Sequence, residues 1–252
     1  MDHYPAQITQ KPYTHIGILN NLANNQLALK KYCAVPETLK KMREVPCRSK
    51  LQERLVFYLS NLIELVLYNS TGKFENGIKL IASINNQPLA VLDKQQQANI
   101  DYYFSCIYFG VGNYTAANKQ LQLVLRDVTD FRVDLQCFAR ILQLIIYYET
   151  EKQDLLEYSV KSTYRFLYKR NRLYKMETVL LDFIRKDLRN MNSKAEIRKG
   201  LQTLHDKLQA VFTNSYEQSV LSYFDILAWL RSKIQNISFD KAIQQTLPHN
   251  DL

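Results

Sequence analysis

The sequence is poor in the residues that interrupt regular structure. Its 252 residues include only six glycines and six prolines, and no long stretch alternates apolar and polar residues as a half-buried strand does. Helices joined by short loops are therefore expected throughout, and the predicted fold class is all-α. No run of about 20 apolar residues is present, so no membrane-spanning helix is predicted.

Cysteine and histidine are equally sparse. No histidine lies four residues from another, and the zinc-binding sequence H-E-x-x-H does not occur. The cysteines are too widely spaced for a disulfide framework or for a metal-binding knuckle. They are Cys33, Cys47, Cys106 and Cys137. We therefore predict free thiols, no metal site and no cofactor.

Motifs typical of enzymes are missing as well. Gly110-Val111-Gly112 is a G-x-G sequence, but it follows a predicted helix, whereas a dinucleotide-binding loop follows a strand. Gly72-Lys73 lacks the preceding glycine and the following hydroxyl residue of a phosphate-binding loop. The carboxylates Glu149 and Glu151 lie near lysine at a helix end and are predicted to be solvated. These absences predict a protein with no catalytic residues.

The N-terminal sequence and the net charge bear on cellular location and on the class of partner. The first ten residues, MDHYPAQITQ, have neither the basic start nor the apolar core of a signal peptide, which predicts a cytoplasmic location. The formal net charge is +9. Such a charge is compatible with attraction to nucleic acid, to an anionic membrane or to an acidic protein, and also with a role in solubility alone.

The clearest positive signal is residues 102–127, which predict two helices joined by a tight turn. Gly110 and Gly112 end the first helix, because glycine readily adopts the backbone angles of a helix terminus. The helix after Asn113 carries one apolar stripe at spacings of three and four residues. The stripe consists of Ala117, Leu121, Val124 and Leu125.

This stretch resembles the tetratricopeptide repeat, in which a small and an aromatic residue on the first helix precede a Tyr-x-x-Ala step on the second. The match spans about 30 residues, without the tryptophan and closing proline of the consensus. The matching residues are Ser105, Tyr108, Tyr114, Ala117, Leu121 and Val124. Weaker copies of the step begin at Phe74, Leu155 and Phe239, which indicates a period of about 40 residues.

The resemblance implies a right-handed α-solenoid of about six antiparallel helix pairs. Residues 158–170 and 223–230 are also similar to segments of bacterial helical-repeat proteins of unassigned function, a likeness that gives architecture and no activity. We predict a flexible lead-in at 1–11, a single tetratricopeptide-like domain at 12–246 and a polar tail at 247–252.

The two ends of this domain carry separate predictions. A continuous helix is expected from Asn214 or Ser215 to Ile234, followed by a short helix from Phe239 to Gln245. At the other end, the chain opens without a polar capping repeat, which repeat arrays normally have. We therefore expect either that the chain belongs to a longer array, or that its N-terminal edge is covered by a partner, including a second copy in a homodimer.

The resemblance implies a non-catalytic protein-interaction scaffold. Its expected ligand is an acidic or extended peptide, or the face of another protein, bound in a concave groove lined by the first helix of each pair. The candidate groove residues are Tyr102, Cys106, Phe109, Arg140, Gln143, Tyr147, Arg185 and Arg189. A self-associating module, whose groove is filled by its own tail or by a second copy, is another interpretation.

The basic and aromatic residues of 164–189 support an alternative function, nucleic-acid binding. Basic side chains interleaved with aromatic ones can hold phosphates and stack bases. The same residues also fit a packed helix whose C-terminal cations are favoured by the helix dipole. The sequence leaves both interpretations open.

Overall fold

The computed structural model describes residues 11–86, 92–126, 132–213 and 219–248. Only Lys11 of the predicted lead-in, and only Leu247 and Pro248 of the predicted polar tail, lie within these ranges, and Leu247 packs against the core. The described residues form twelve α-helices and no strand, which confirms an all-α protein. The helices are α1 (Pro12–Ala28), α2 (Val35–Arg43), α3 (Lys50–Thr71), α4 (Phe74–Asn85), α5 (Lys94–Gly110), α6 (Tyr114–Arg126), α7 (Val133–Glu149), α8 (Gln153–Lys169), α9 (Lys175–Asp182), α10 (Lys194–Val211), α11 (Ile226–Gln235) and α12 (Phe239–Gln244).

Several helix ends follow directly from local sequence. Asp93 and Ser193 begin α5 and α10 with capping boxes. The side chain of the cap residue accepts the backbone N–H of the third helical residue, and the side chain of that residue accepts the backbone N–H of the cap. Helix α3 ends at Gly72, whose positive φ of 68° suits glycine. A Cβ there would also lie 3.0 Å from the backbone oxygen of Asp240, so the turn packs closely against α12.

The helix predicted from Asn214 or Ser215 to Ile234 is wrong. Among its described residues, only a short 3₁₀ turn (Ser219–Ser222) precedes a non-helical stretch, and α11 begins at Ile226. The new start has a local cause, because the carboxylate of Asp225 accepts the backbone N–H of Ala228 at 2.8 Å.

The interrupted stretch packs against other helices. The ring of Tyr223 stacks on Phe138 with 4.2 Å between centroids. The ring of Phe224 packs edge-on against Phe109 at 5.2 Å. These contacts hold the non-helical residues 223 and 224 against α7 and α5.

Consecutive helices pack against one another from α3 to α8, and α3, α5 and α7 also contact one another in succession. Helix α12 then returns to α3. Phe74 and Phe239, which begin two of the weak repeat copies, stack on each other with 5.5 Å between ring centroids. The C-terminal helices therefore close onto the early part of the chain. None of the described helices combines the length and apolar character needed to cross a bilayer.

Helix α1 packs on α2 and α3 through a smaller apolar cluster. Ile18 and Leu22 on this helix, and Leu29 just after it, are 58%, 44% and 65% exposed. A partner or second copy at the N-terminal edge would cover these side chains, and that contact stays a prediction.

A carboxyl group lies in the core on α5. Asp101 is only 5% exposed, and its Oδ1 accepts a hydrogen bond from Gln97 Nε2 at 2.8 Å. Burial raises the pKa of Asp101 to about 6, although the Gln97 hydrogen bond opposes the increase. The folded state therefore binds this proton more tightly than the unfolded state, in which the pKa is about 3.9.

Asp101→Asn is expected to raise the free energy of unfolding at pH 7 by about 1–3 kcal/mol. The stabilisation from the Asp101 proton is fully present below about pH 4 and is lost as the pH rises to about 6. Asparagine keeps an oxygen for Gln97 but has no proton to lose. Urea unfolding at several pH values measures the difference, with the exposed Asp187→Asn as control. Equal stability of the Asp101→Asn variant and the parent protein at pH 7 would contradict the prediction.

Candidate binding groove

The groove residues predicted on α5 lie in the core. Tyr102 and Cys106 are fully buried and Phe109 is 3% exposed. They are covered by the C-terminal segment, which we define as residues 223–247. Tyr223 packs edge-on against Tyr102, and its backbone oxygen lies 3.7 Å from the thiol of Cys106. These three side chains therefore present no open surface.

The residues predicted on α7 are also largely enclosed. Gln143 and Tyr147 are each 8% exposed, and Gln143 donates to Asn118 Oδ1 at 3.1 Å. The guanidinium of Arg140 lies 4.0 Å from the ring centroid of Phe166, and burial lowers its pKa. Gln143 therefore joins α7 to α6, and Arg140 joins α7 to α8.

The last two predicted residues follow α9. Arg185 is exposed and pairs with Asp182 at 2.9 Å. Arg189 lies in a short 3₁₀ turn, and its side chain is outside the described part of the structure. The predicted residues therefore do not converge on one described surface.

Glu149, predicted to be solvated, is instead an internal anchor with a side chain 7% exposed. Its Oε1 accepts the indole N–H of Trp229 at 2.6 Å. Its Oε2 pairs with Lys233 and lies 3.3 Å from the hydroxyl of Tyr114. This carboxylate therefore fastens α11 to the end of α7. Glu151 is exposed, as predicted.

An open groove of about 900 Å³ lies elsewhere, between α1, α3, α5, the end of α10 and the C-terminal segment. Apolar side chains of α3, including Leu62, Ile63 and Val66, form part of its wall. The polar lining is rich in side-chain amides and holds two cations and one carboxylate. These polar residues include Asn20, Asn24, Lys30, Asn69, Asn99, Arg132, Gln209 and Asp225.

Arg132 forms a fixed part of the groove wall. Its Nε and one terminal nitrogen donate to the two carboxylate oxygens of Asp134, each at 3.0 Å, and its other terminal nitrogen donates to Asn99 Oδ1. Burial alone would raise the pKa of Asp134, but the hydrogen bonds and charge of Arg132 lower it. Asn99 in turn donates to the hydroxyl of Tyr58. The network holds the start of α7 against α5 and α3.

A further hydrogen bond ties the C-terminal segment to the groove, and a carboxyl group of this segment lies in the groove lining. Asn69 on α3 donates to the backbone oxygen of Tyr223 at 3.2 Å. Burial raises the pKa of Asp225, although the backbone N–H of Ala228 and the charge of Lys30 oppose the increase. The walls are thus held together by polar contacts between residues far apart in sequence.

The rim of the groove is accessible. Asn24 and Lys30 are exposed and border the groove, whereas their neighbours Asn25 and Lys31 are exposed outside it. The amide of Asn24 donates to the backbone oxygen of Asn20 at 2.8 Å, which orients its side chain along α1. The only sequence signal of this rim is the pair of asparagine doublets at 20–21 and 24–25.

No protein-family model, curated protein or solved structure matches this chain.

Proposed function

We propose that the protein is a non-catalytic scaffold of tetratricopeptide-like helix pairs, which binds an extended segment of a protein partner in the groove between α1, α3, α5 and the C-terminal segment. The serial packing of α3 to α8 supports the repeat architecture. The observation that carries the function is the open groove of about 900 Å³, which is large enough for several side chains of a peptide.

The lining suits an extended peptide chain. A peptide backbone presents donors and acceptors in alternation, and a side-chain amide offers both. Asn20 and Asn24 supply such groups on one side of the groove, and Gln209 supplies one on another. Leu62 and Val66 offer apolar contacts for the side chains of the peptide. Main-chain recognition would hold the segment, and the apolar wall would select its side chains.

Charge favours an acidic partner. The whole chain carries a formal charge of +9, which attracts anions at long range. At the rim, Lys30 is exposed and accessible to a carboxylate of the peptide, whereas Arg132 is already held by Asp134. We therefore propose that an acidic residue of the partner lies next to Lys30.

Peptides selected from a phage-displayed library against the purified protein test the proposal. Asn24→Trp, which places a large ring in the groove, is expected to weaken the selected peptides at least tenfold, or by about 1.4 kcal/mol. Asn25→Trp makes the same change outside the groove and is expected to have no effect. Lys30→Glu and Lys31→Glu form a second matched pair. Equal effects within each pair, or failure to select any peptide, would overturn the proposal.

A further inference from the structure

Helix α8 exposes an unusual number of tyrosines. Tyr158, Tyr164 and Tyr168 are 74%, 36% and 67% exposed. Among the described residues only one other tyrosine, Tyr13, is comparably exposed. The rings of Tyr164 and Tyr168 are nearly parallel, at 7°, with 6.2 Å between centroids. We call these three residues the tyrosine face.

The tyrosine face is not needed for packing. Helix α8 docks on its neighbours through Leu156, Val160 and Leu167, which are buried. The three tyrosines span about 15 Å along the helix axis but do not form one line: Tyr168 lies about 40° around the helix from Tyr164, whereas Tyr158 lies about 120° from it. The pair Tyr164 and Tyr168 and the separate ring of Tyr158 are therefore available to a ligand.

Cations surround the tyrosine face. Lys161, Arg165 and Lys169 are exposed on the same helix, and the guanidinium of Arg185 lies 5.8 Å from the ring centroid of Tyr164. Lys161 pairs with Glu157, but Arg165 has no ion-pair partner in the described ranges. A small cavity of about 180 Å³ lies beside Tyr164, with Arg165 and Arg185 in its walls. The face therefore combines stacked rings with positive charge.

We propose that this surface binds single-stranded nucleic acid. Unpaired bases stack on aromatic side chains whatever their sequence, while nearby cations hold the phosphates. An acidic peptide would use the cations but would not require three exposed rings beside them. This surface is separate from the groove, so the inference does not rest on the proposed peptide site.

The surface differs from the sequence hypothesis for residues 164–189. Arg170 and Arg172, which belonged to that hypothesis, lie against Phe166 and the hydroxyl of Tyr174. Tyr158 lies outside that range but is the most exposed ring. The tyrosine face therefore lies nearer the start of α8 than the surface predicted from the sequence.

Fluorescence anisotropy with labelled oligo-dT and oligo-rU of about 20 nucleotides, in about 50 mM salt, tests the proposal. Tyr158→Ala and Tyr168→Ala are each expected to weaken binding about tenfold, because each removes a stacking platform. Tyr13→Ala, an exposed tyrosine on α1, is the matched control and should bind like the parent protein. The phenylalanine variants at 158 and 168 should retain most of the affinity.

The salt dependence supplies a second test. Arg165→Ala is expected to reduce the slope of log K against log salt concentration by about one, since it removes one phosphate contact. Lys40→Ala, an exposed cation on α2, should leave the slope unchanged. The proposal is overturned if neither oligonucleotide binds at low salt, or if the tyrosine variants bind as tightly as Tyr13→Ala.

Discussion

Phe109→Ala is expected to lower the free energy of unfolding by about 3–5 kcal/mol, the usual cost of deleting a buried phenylalanine ring. Phe109 is 3% exposed, and its ring meets three others within 5.6 Å. These belong to Tyr114, Phe224 and Phe239. The substitution therefore leaves a cavity where α5, α6 and the C-terminal segment meet.

Trp229 provides a reporter for this variant. It is the only tryptophan in the chain and lies on α11 within the C-terminal segment. We expect the tryptophan emission to show that Phe109→Ala unfolds at a lower denaturant concentration than the parent protein. Phe109→Leu should lower the free energy of unfolding much less, because leucine keeps most of the apolar volume. If Phe109→Ala retained full stability and lost only partner binding, the ring would act at an open surface, as the sequence predicted.

Glu149→Ala is expected to lower the free energy of unfolding by about 2–4 kcal/mol. Removing one partner of a buried ion pair costs about 3–5 kcal/mol. Lys233 is 32% exposed and can partly regain water, which reduces that cost. The indole N–H of Trp229 also loses its acceptor, at a cost of about 1–3 kcal/mol if it stays buried.

The matched control for this substitution is Glu37→Ala. Glu37 pairs with Lys41 on α2, but the two side chains are 62% and 59% exposed, so the loss should not exceed about 0.5 kcal/mol. Glu149→Gln, which keeps an oxygen for Trp229 but removes the charge, should fall between the parent protein and Glu149→Ala. Chemical denaturation compares the four proteins. Similar small losses for Glu149→Ala and Glu37→Ala would show that Glu149 does not anchor α11.

Local sequence signals predicted much of the helical framework. The turn at Gly110 and Gly112 separates α5 from α6, and Ser193 caps α10. These features depend on residues within one or two helical turns, so periodicity and capping preferences are enough to find them. The same signals found α12 near Phe239.

The groove could not be predicted in the same way, because it depends on where distant segments meet. Asn69 and Tyr223 are 154 residues apart, and Trp229 and Glu149 are 80 apart. A repeat pattern treats the first helix of each pair as groove-lining, whereas here the C-terminal segment covers Tyr102 and Phe109. The apolar pattern of α5 alone does not indicate that the C-terminal segment folds back over it.

Photo-crosslinking tests the proposed groove most directly. A small photoreactive residue, an aliphatic diazirine amino acid the size of leucine, is introduced at position 24 or 213, which face the groove from α1 and from beyond the end of α10, or at position 25 outside it. Each protein is irradiated with a library-selected peptide. We predict crosslinks from 24 and 213 and none from 25. Crosslinks from 25 alone, or none from 24 and 213 while the peptide still binds, would show that the partner site lies elsewhere.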